Sequence, residues 1–323
     1  MFAPPVTQWL SGDRLHLSHG PIDVVLKAWG AAEDLAAAYA AVCRRFPTIL
    51  PELCEELSAL RMPAHERPQV TGPVARRMIS ACRPFADVFV TPMAAVAGAV
   101  ADELLAHMRA AAPLQRAFVN DGGDIAVLVT GEHALDVGVA GTFSRGDVPA
   151  MNGSLRLDAG SGIGGIATSG ARGRSFSLGI ADSVTVLARD AAMADVAATL
   201  VANAVDIESP AIVRRPAQSL DPDSDLGDRL VTVSVGALTP AEVDAALARG
   251  LARAGDYHRR GLIADAALML AGRTRTLGGD GYPRELVEPC DGGRGPSFGK
   301  LRSEAAVTRD LALRSMPQQE ATR

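Results

Sequence analysis

Apolar and polar residues alternate from the start of the chain. Leu15-His-Leu-Ser and Ile22-Asp-Val-Val-Leu-Lys flank the turn segment His19-Gly20-Pro21, a pattern that predicts an opening β-hairpin. From Ala31 to Leu60 the apolar period becomes helical, with Pro47 and Pro51 expected to break the run into two helices. Further helices are predicted from Pro73 to about Cys82 and from Pro92 to Ala111, each with proline in the first turn, where its missing N–H is not needed. Strand patterns then dominate: Arg116 to Val119, Ile125 to Val129, Ala134 to Val139, Ser154 to Leu157, Ser175 to Leu178 and Ser183 to Ala188. They lie too close together for helical crossovers, which predicts a mainly antiparallel sheet. A helix from Ala191 to Val205, a strand from Leu230 to Val235 and helices from Pro240 to Ala254 and from about Leu262 to Leu270 follow. The pattern is that of an α+β protein, one domain over residues 1–307 with room for two subdomains, and a frayed or disordered tail over 308–323. It shows no fixed-period repeat, and no GxGxxG follows a strand.

Composition narrows the function. With 48% hydrophobic residues among 323, the chain can bury a full core, so disorder of the whole is excluded. Aromatics supply only 4%, so the core rests on small and branched aliphatics and base-stacking platforms are not expected. A formal charge of −5 gives no footprint for nucleic acid or an anionic membrane. Any phosphate must be held locally. The first residues lack the pattern of a secretory signal, and the longest apolar stretch, Pro92 to Leu105, is too short for a bilayer, so a cytoplasmic protein is expected. Cys43, Cys54, Cys82 and Cys290 are widely spaced and are read as free, mostly buried thiols.

Four segments carry chemistry. In Val119-Asn120-Asp121-Gly122-Gly123-Asp124-Ile125 two glycines let the backbone approach a ligand, although Asn-Asp-Gly-Gly taken by itself favours an ordinary hairpin turn. Thr168-Ser169-Gly170-Ala171-Arg172-Gly173-Arg174 combines hydroxyls, glycines and guanidinium groups that suit phosphate oxygens, or makes a solvated turn. Asp195 and Thr199 stand one helical turn apart on one face; two hard oxygens suit Mg²⁺, whereas the plain alternative is a carboxylate near a helix start. The small residues from Thr91 to Asp102 permit close approach of another helix or of a ligand.

Taken in order, Gly98-Ala-Val-Ala-Asp102, Asn120-x-Gly-Gly-Asp124, Thr168-Ser-Gly170, Ser183-Val-Thr-Val186 and Ala194-Asp-x-x-Ala-Thr199 resemble the motif order of the ApbE family. Those FAD:protein FMN transferases cleave FAD and attach FMN through a phosphoester to a Thr or Ser of a target flavoprotein. With Gly20-Pro-Ile-Asp23 and Gly261-Leu-Ile-Ala-Asp-Ala266, the whole chain looks like a cytoplasmic branch of the ApbE-like superfamily. The resemblance implies a T-fold-like architecture of antiparallel sheet covered by helices. It further implies Mg²⁺ on Asp195, Thr199 and a backbone carbonyl near Val96. FAD or a related nucleotide would lie on Asn120, Asp121, Gly122, Gly123 and Asp124, with Thr168, Ser169 and Gly170 closing the other wall. An acceptor flavoprotein would be the partner, and a homo-oligomer is compatible with it. Two departures stand out: Ala97 occupies the place of the family's Lys, and the short stretch Ala171 to Asp182 replaces its His-His-Ile and Asp-Pro-x-Thr-Gly segments. A noncatalytic flavin or nucleotide binder, an accessory protein and a diverged hydrolase therefore stay open beside the transferase, and no catalytic residue is assigned.

Overall fold

The chain opens with the exposed strand β1 (Val6–Leu10), and period-two burial is clear in β2 (Arg14–His19) and β3 (Ile22–Trp29), where every second side chain is buried. The computed structural model describes residues 3–142, 150–173 and 175–277, all within one compact unit, Met1–Glu288. The expected tail over 308–323, Cys290 and Arg174 lie outside the described residues. The chain continues through helices α1 (Ala32–Glu55), α2 (Leu57–Leu60), α3 (Pro73–Cys82) and α4 (Val96–Ala111) to strands β4 (Arg116–Asp121), β5 (Asp124–Val129), β6 (Ala134–Thr142), β7 (Ala150–Asp158), β8 (Gly165–Ser169) and β9 (Ser183–Ala188). Then come α5 (Ala191–Ala204), β10 (Ile212–Pro216), β11 (Leu230–Val235), α6 (Pro240–Arg259), β12 (Asp265–Leu270) and β13 (Arg273–Thr276).

Nine strands form one sheet in the order β1-β2-β3-β4-β5-β8-β9-β12-β13, with every neighbouring pair antiparallel. The α+β, mainly antiparallel architecture expected from the strand spacing is present. Its interior is a duplication: β2-β3-α1-α4-β4-β5 and β8-β9-α5-α6-β12-β13 share the order strand, strand, helix, helix, strand, strand once α2 and α3 in the first and the β10–β11 hairpin in the second are set aside as insertions between the two helices, and they join edge to edge at β5 and β8. Helices α4, α5 and α6 cover one face, with α4 on β4 and β5, α5 on β8 and β9, and α6 on β12. Their contacts build the main core, rich in alanine, as the low aromatic content requires. The β6–β7 hairpin covers part of the other face over Val127, Ile166 and Leu187.

Several elements depart from their local patterns. Helix α1 runs unbroken through Pro47 and Pro51. Each proline removes one backbone hydrogen bond, but Phe46, Ile49, Leu50 and Leu53 are buried and hold the helix together through packing. The chain turns only at Glu56, whose carboxylate accepts from the N–H groups of Thr71 and Gly72. Residues Leu262 to Leu270 do not form a helix: Asp265–Leu270 is strand β12, paired with β9 and alternately buried. The expected strand at Ser175 to Leu178 is irregular, because its backbone bonds to the Asn203 side chain and to Thr232 instead of to a ladder. Cys82 is buried, but Cys43 and Cys54 are exposed, against the expectation of mostly buried thiols. Among the described residues no helix is long and apolar enough to cross a membrane.

Candidate functional site

The Gly122-Gly123 link between β4 and β5 is a two-residue hairpin turn with φ of 66° and 119°, values open to glycine and strained for any other residue. The Asn120 side chain accepts from the Gly123 N–H at 2.8 Å and fixes the turn. No protein atom outside its own neighbours lies within 4 Å of where a Gly123 Cβ would stand, so this backbone is bare toward open space. The hairpin reading of this segment is correct as geometry, and the turn also lines a cavity.

That cavity, about 1060 Å³, lies beside the ends of β4, β5, β8 and β9. One wall is apolar, from Leu50, Leu53, Leu57, Leu60 and Met93. Another stretch of wall carries Asn120 to Asp124 together with Thr168, Ser169 and Gly170, and Val96 and Ala97 at the α4 start complete it. Thr168 and Ser169 belong to the end of β8 and not to a loop. Thr168 is held by a hydroxyl–hydroxyl bond of 2.9 Å to Thr185 on β9. Gly170 is required by crowding, since a Cβ there would sit 2.6 Å from the Asp182 carbonyl oxygen. Arg172 is the one cation among the described lining residues, and its Nε donates to Asp182 at 2.6 Å.

Asp195 and Thr199 fall on α5 behind this wall and do not line the cavity. The Asp195 carboxylate accepts from the Gly98 N–H at 3.1 Å and from the Ala97 N–H, closing the first turn of α4. Burial, then the charge of Asp124, pushes Asp195 well above the ordinary carboxylate range; the Gly98 N–H opposes this and Asp121 adds to it.

Sequence reasoning missed Asp102 as anything beyond the end of a small-residue motif. Its oxygens accept from the Ala191 N–H at 3.1 Å and the Ala192 N–H at 2.9 Å, at the start of α5. Asp190 is the N-cap of α5, accepting from the Met193 N–H at 2.7 Å. Burial foremost pushes Asp102 up to about 6, against the two N–H groups. A carboxyl raised in the folded state contributes stability that is complete below its unfolded pKa of about 3.9 and is lost as pH rises through the folded value. The wild type should therefore lose stability relative to Asp102→Asn between about pH 4 and about pH 7. Urea unfolding of both proteins across that range checks this; a pH-independent difference would show that Asp102 titrates as an ordinary carboxylate.

Among the described residues no three His, Cys, Asp or Glu side chains are arranged to hold a metal. A metal here would need a mixed oxygen set. One carboxylate, one hydroxyl and one backbone carbonyl are hard donors of the kind Mg²⁺ takes, and the carboxylate, Asp195, feels the charges of Asp124 and Asp121, so the donor chemistry fits that ion.

Comparison with known proteins places the chain. A UPF0280 protein of Methanothrix thermoacetophila is 40% identical over 134 residues, 41% of this chain and 52% of that protein. One of Methanopyrus kandleri is 39% identical over 149 residues, 46% of this chain and 56% of that one. The chain thus spans about half the length of the curated relatives it matches. The crystal structure of an apbe protein from Thermotoga maritima superposes with a TM-score of 0.44 at 13% identity, over 85% of this chain and 96% of that one. The apo form of the Pseudomonas stutzeri flavinyl transferase ApbE gives 0.37 at 13%, over 85% and 93%. Both likenesses are too distant to bear on the fold or its chemistry. The family model described as AbpE bacteria matches from residue 7 to residue 276, nearly the whole described fold, and the chain belongs to that ApbE-like family.

Proposed function

We propose that the protein binds a flavin dinucleotide in the 1060 Å³ cavity with Mg²⁺ at its Asp195 end, and transfers FMN from FAD to a Thr or Ser hydroxyl of a target protein. The observation that carries this reading is the division of one cavity into an apolar wall from α1 and α2 and a glycine-rich polar wall from the β4–β5 turn. An amphipathic ligand with a flat ring and a diphosphate suits that division, and the volume lies just above the usual range for small-molecule sites, about 300–1,000 Å³. Leu50, Leu53 and Met93 would exclude water from the ring. The Asn120 amide and the bare backbone of Gly123 would fix its polar edge. Asp195, Thr199 and the Val96 carbonyl would hold the metal, which when bound neutralises diphosphate charge. In the transfer, the acceptor hydroxyl oxygen forms a bond to the FMN phosphorus, the bridging P–O bond breaks, AMP leaves with the electron pair, and the hydroxyl proton passes to solvent.

A noncatalytic flavin or nucleotide binder is the second reading. It is favoured by Ala97, which lines the cavity where the family transferases have Lys, and by the lack of histidine among the described lining residues. Calorimetric titration with FAD in Mg²⁺ and in EDTA, followed by chromatography for AMP, separates the two. Mg²⁺-dependent binding with AMP release on adding a flavoprotein acceptor is the expected result. Binding without AMP release supports the second reading, and failure to bind any flavin or adenine nucleotide overturns both.

A further inference from the structure

We propose that Asp102 is a positioning residue for the Asp195 end of the cavity, acting through reciprocal caps by which α4 and α5 close each other's first turn. The role assigned to the ligand rests on the reading of Asp195 above; the caps themselves do not. An α-helix begins with N–H groups that no carbonyl of the helix can reach. In α5 these are fully accounted for: Ala191 and Ala192 donate to Asp102, and Met193 donates to the N-cap Asp190. In α4, Gly98 and Ala97 donate to Asp195, and no N-cap side chain contributes.

The two arrangements repeat one spacing. Asp102 lies four residues after Gly98, and Asp195 four after Ala191, so each helix offers a carboxylate one turn beyond the N–H that its neighbour caps. They meet at close range, because a Cβ on Gly98 would stand 2.3 Å from the Ala191 carbonyl oxygen. A single N-cap suffices for an ordinary helix. A second carboxylate brought from another helix and only 9% exposed does something more: it fixes where α5 starts relative to α4. Asp195 and Thr199 follow on the next two turns. Loosening the Asp102 bonds lets α5 move against α4, and the Asp195–Gly98 bond across the same junction loosens with it. Glu103, the next residue on α4, faces elsewhere and binds Arg45 and Arg77. It is therefore a control of similar burial.

Amide hydrogen exchange on the full-length protein tests the coupling without ligand, using Asp102→Asn and, in case that variant folds poorly, Asp102→Ser. Exchange at Ala191, Ala192 and Gly98 should quicken by at least about tenfold, whereas Glu103→Gln should leave Gly98 unchanged. FAD affinity in Mg²⁺ buffer should weaken by about tenfold or more in the Asp102 variants and stay at the wild-type value in Glu103→Gln. Faster exchange at Ala191 and Ala192 with Gly98 unchanged overturns reciprocal capping. Faster exchange at Gly98 with unchanged FAD affinity overturns the positioning role. A wild type that binds no FAD removes the proposed function and with it the positioning role, while the exchange measurement still decides the caps.

Discussion

Asp195→Asn is expected to abolish the stabilisation that Mg²⁺ and FAD together give the protein, while leaving the ligand-free fold as stable as the wild type or slightly more so. The two halves come from different properties of one carboxylate. In the ligand-free protein, burial and the charge of Asp124 disfavour its ionised form. An amide of the same shape removes that repulsion, and its oxygen can still accept the Gly98 N–H although the bond from Ala97 is weakened. A purely structural carboxylate at a helix start is worth about 0.3–1 kcal/mol through the helix dipole, so the loss on that side is small. A metal ligand, in contrast, loses its anionic anchor, and affinity for any phosphate bridged by the ion falls with it. At a hundredfold excess over Kd the ligand stabilises the wild type by about 2.7 kcal/mol, or about 5–10 °C of Tm for a domain of this size. Thermal unfolding of both proteins, alone and with Mg²⁺ plus FAD, reads the two halves separately. If Asp195→Asn keeps the ligand-dependent shift, Asp195 caps α4 and does nothing for a metal. Thr199→Val should give a milder loss, because a neutral hydroxyl is the weaker donor.

Gly98→Ala reverses a usual rule. Replacing an interior helical glycine by alanine normally stabilises a helix by about 1 kcal/mol. Here the new methyl would meet the Ala191 carbonyl oxygen at 2.3 Å, its carbon at 2.5 Å and the Ala192 nitrogen at 2.7 Å. These are backbone atoms in the first turn of a buried helix and cannot rotate aside. The two helices must separate, and overpacking of this kind costs about 1–3 kcal/mol, occasionally more. The separation also lengthens the Asp102 and Asp195 bonds across the junction, so a lower Tm should come with weaker FAD binding. Chemical unfolding and the calorimetric titration together check this. A variant as stable as the wild type would mean that α4 and α5 part easily, and would remove close packing as the reason for glycine at this position.

Local patterns determined much of the outline. The β2–β3 hairpin, α3, the strands β4, β5 and β9, and α5 and α6 stand near their predicted places, because each carries its own periodicity and terminal signals. Asp190 before an apolar run caps α5, and Thr239 with Glu242 forms the capping box of α6. The Asn120 to Asp124 turn and the Thr168 to Gly170 segment were also recognisable, since glycines and short polar side chains mark places where the backbone must turn or crowd. Short apolar runs were not decisive: the run from Leu262 to Leu270, expected to be helical, contains strand β12, Asp265–Leu270, because pairing with β9 selects the strand. Nor did the prolines decide α1, whose buried side chains outweigh two lost hydrogen bonds. The duplication of the strand-strand-helix-helix-strand-strand unit leaves no fixed-period repeat in the sequence. It is a property of topology, which many side-chain combinations satisfy. The junction of α4 and α5 is the clearest case: Asp102 and Ala191 are 89 positions apart, and Gly98 and Asp195 are 97 apart. Local pattern can show that a carboxylate lies one turn into a small-residue helix, but only the folded chain decides which N–H groups it meets, because that contact is made when both helices bury themselves on the same sheet.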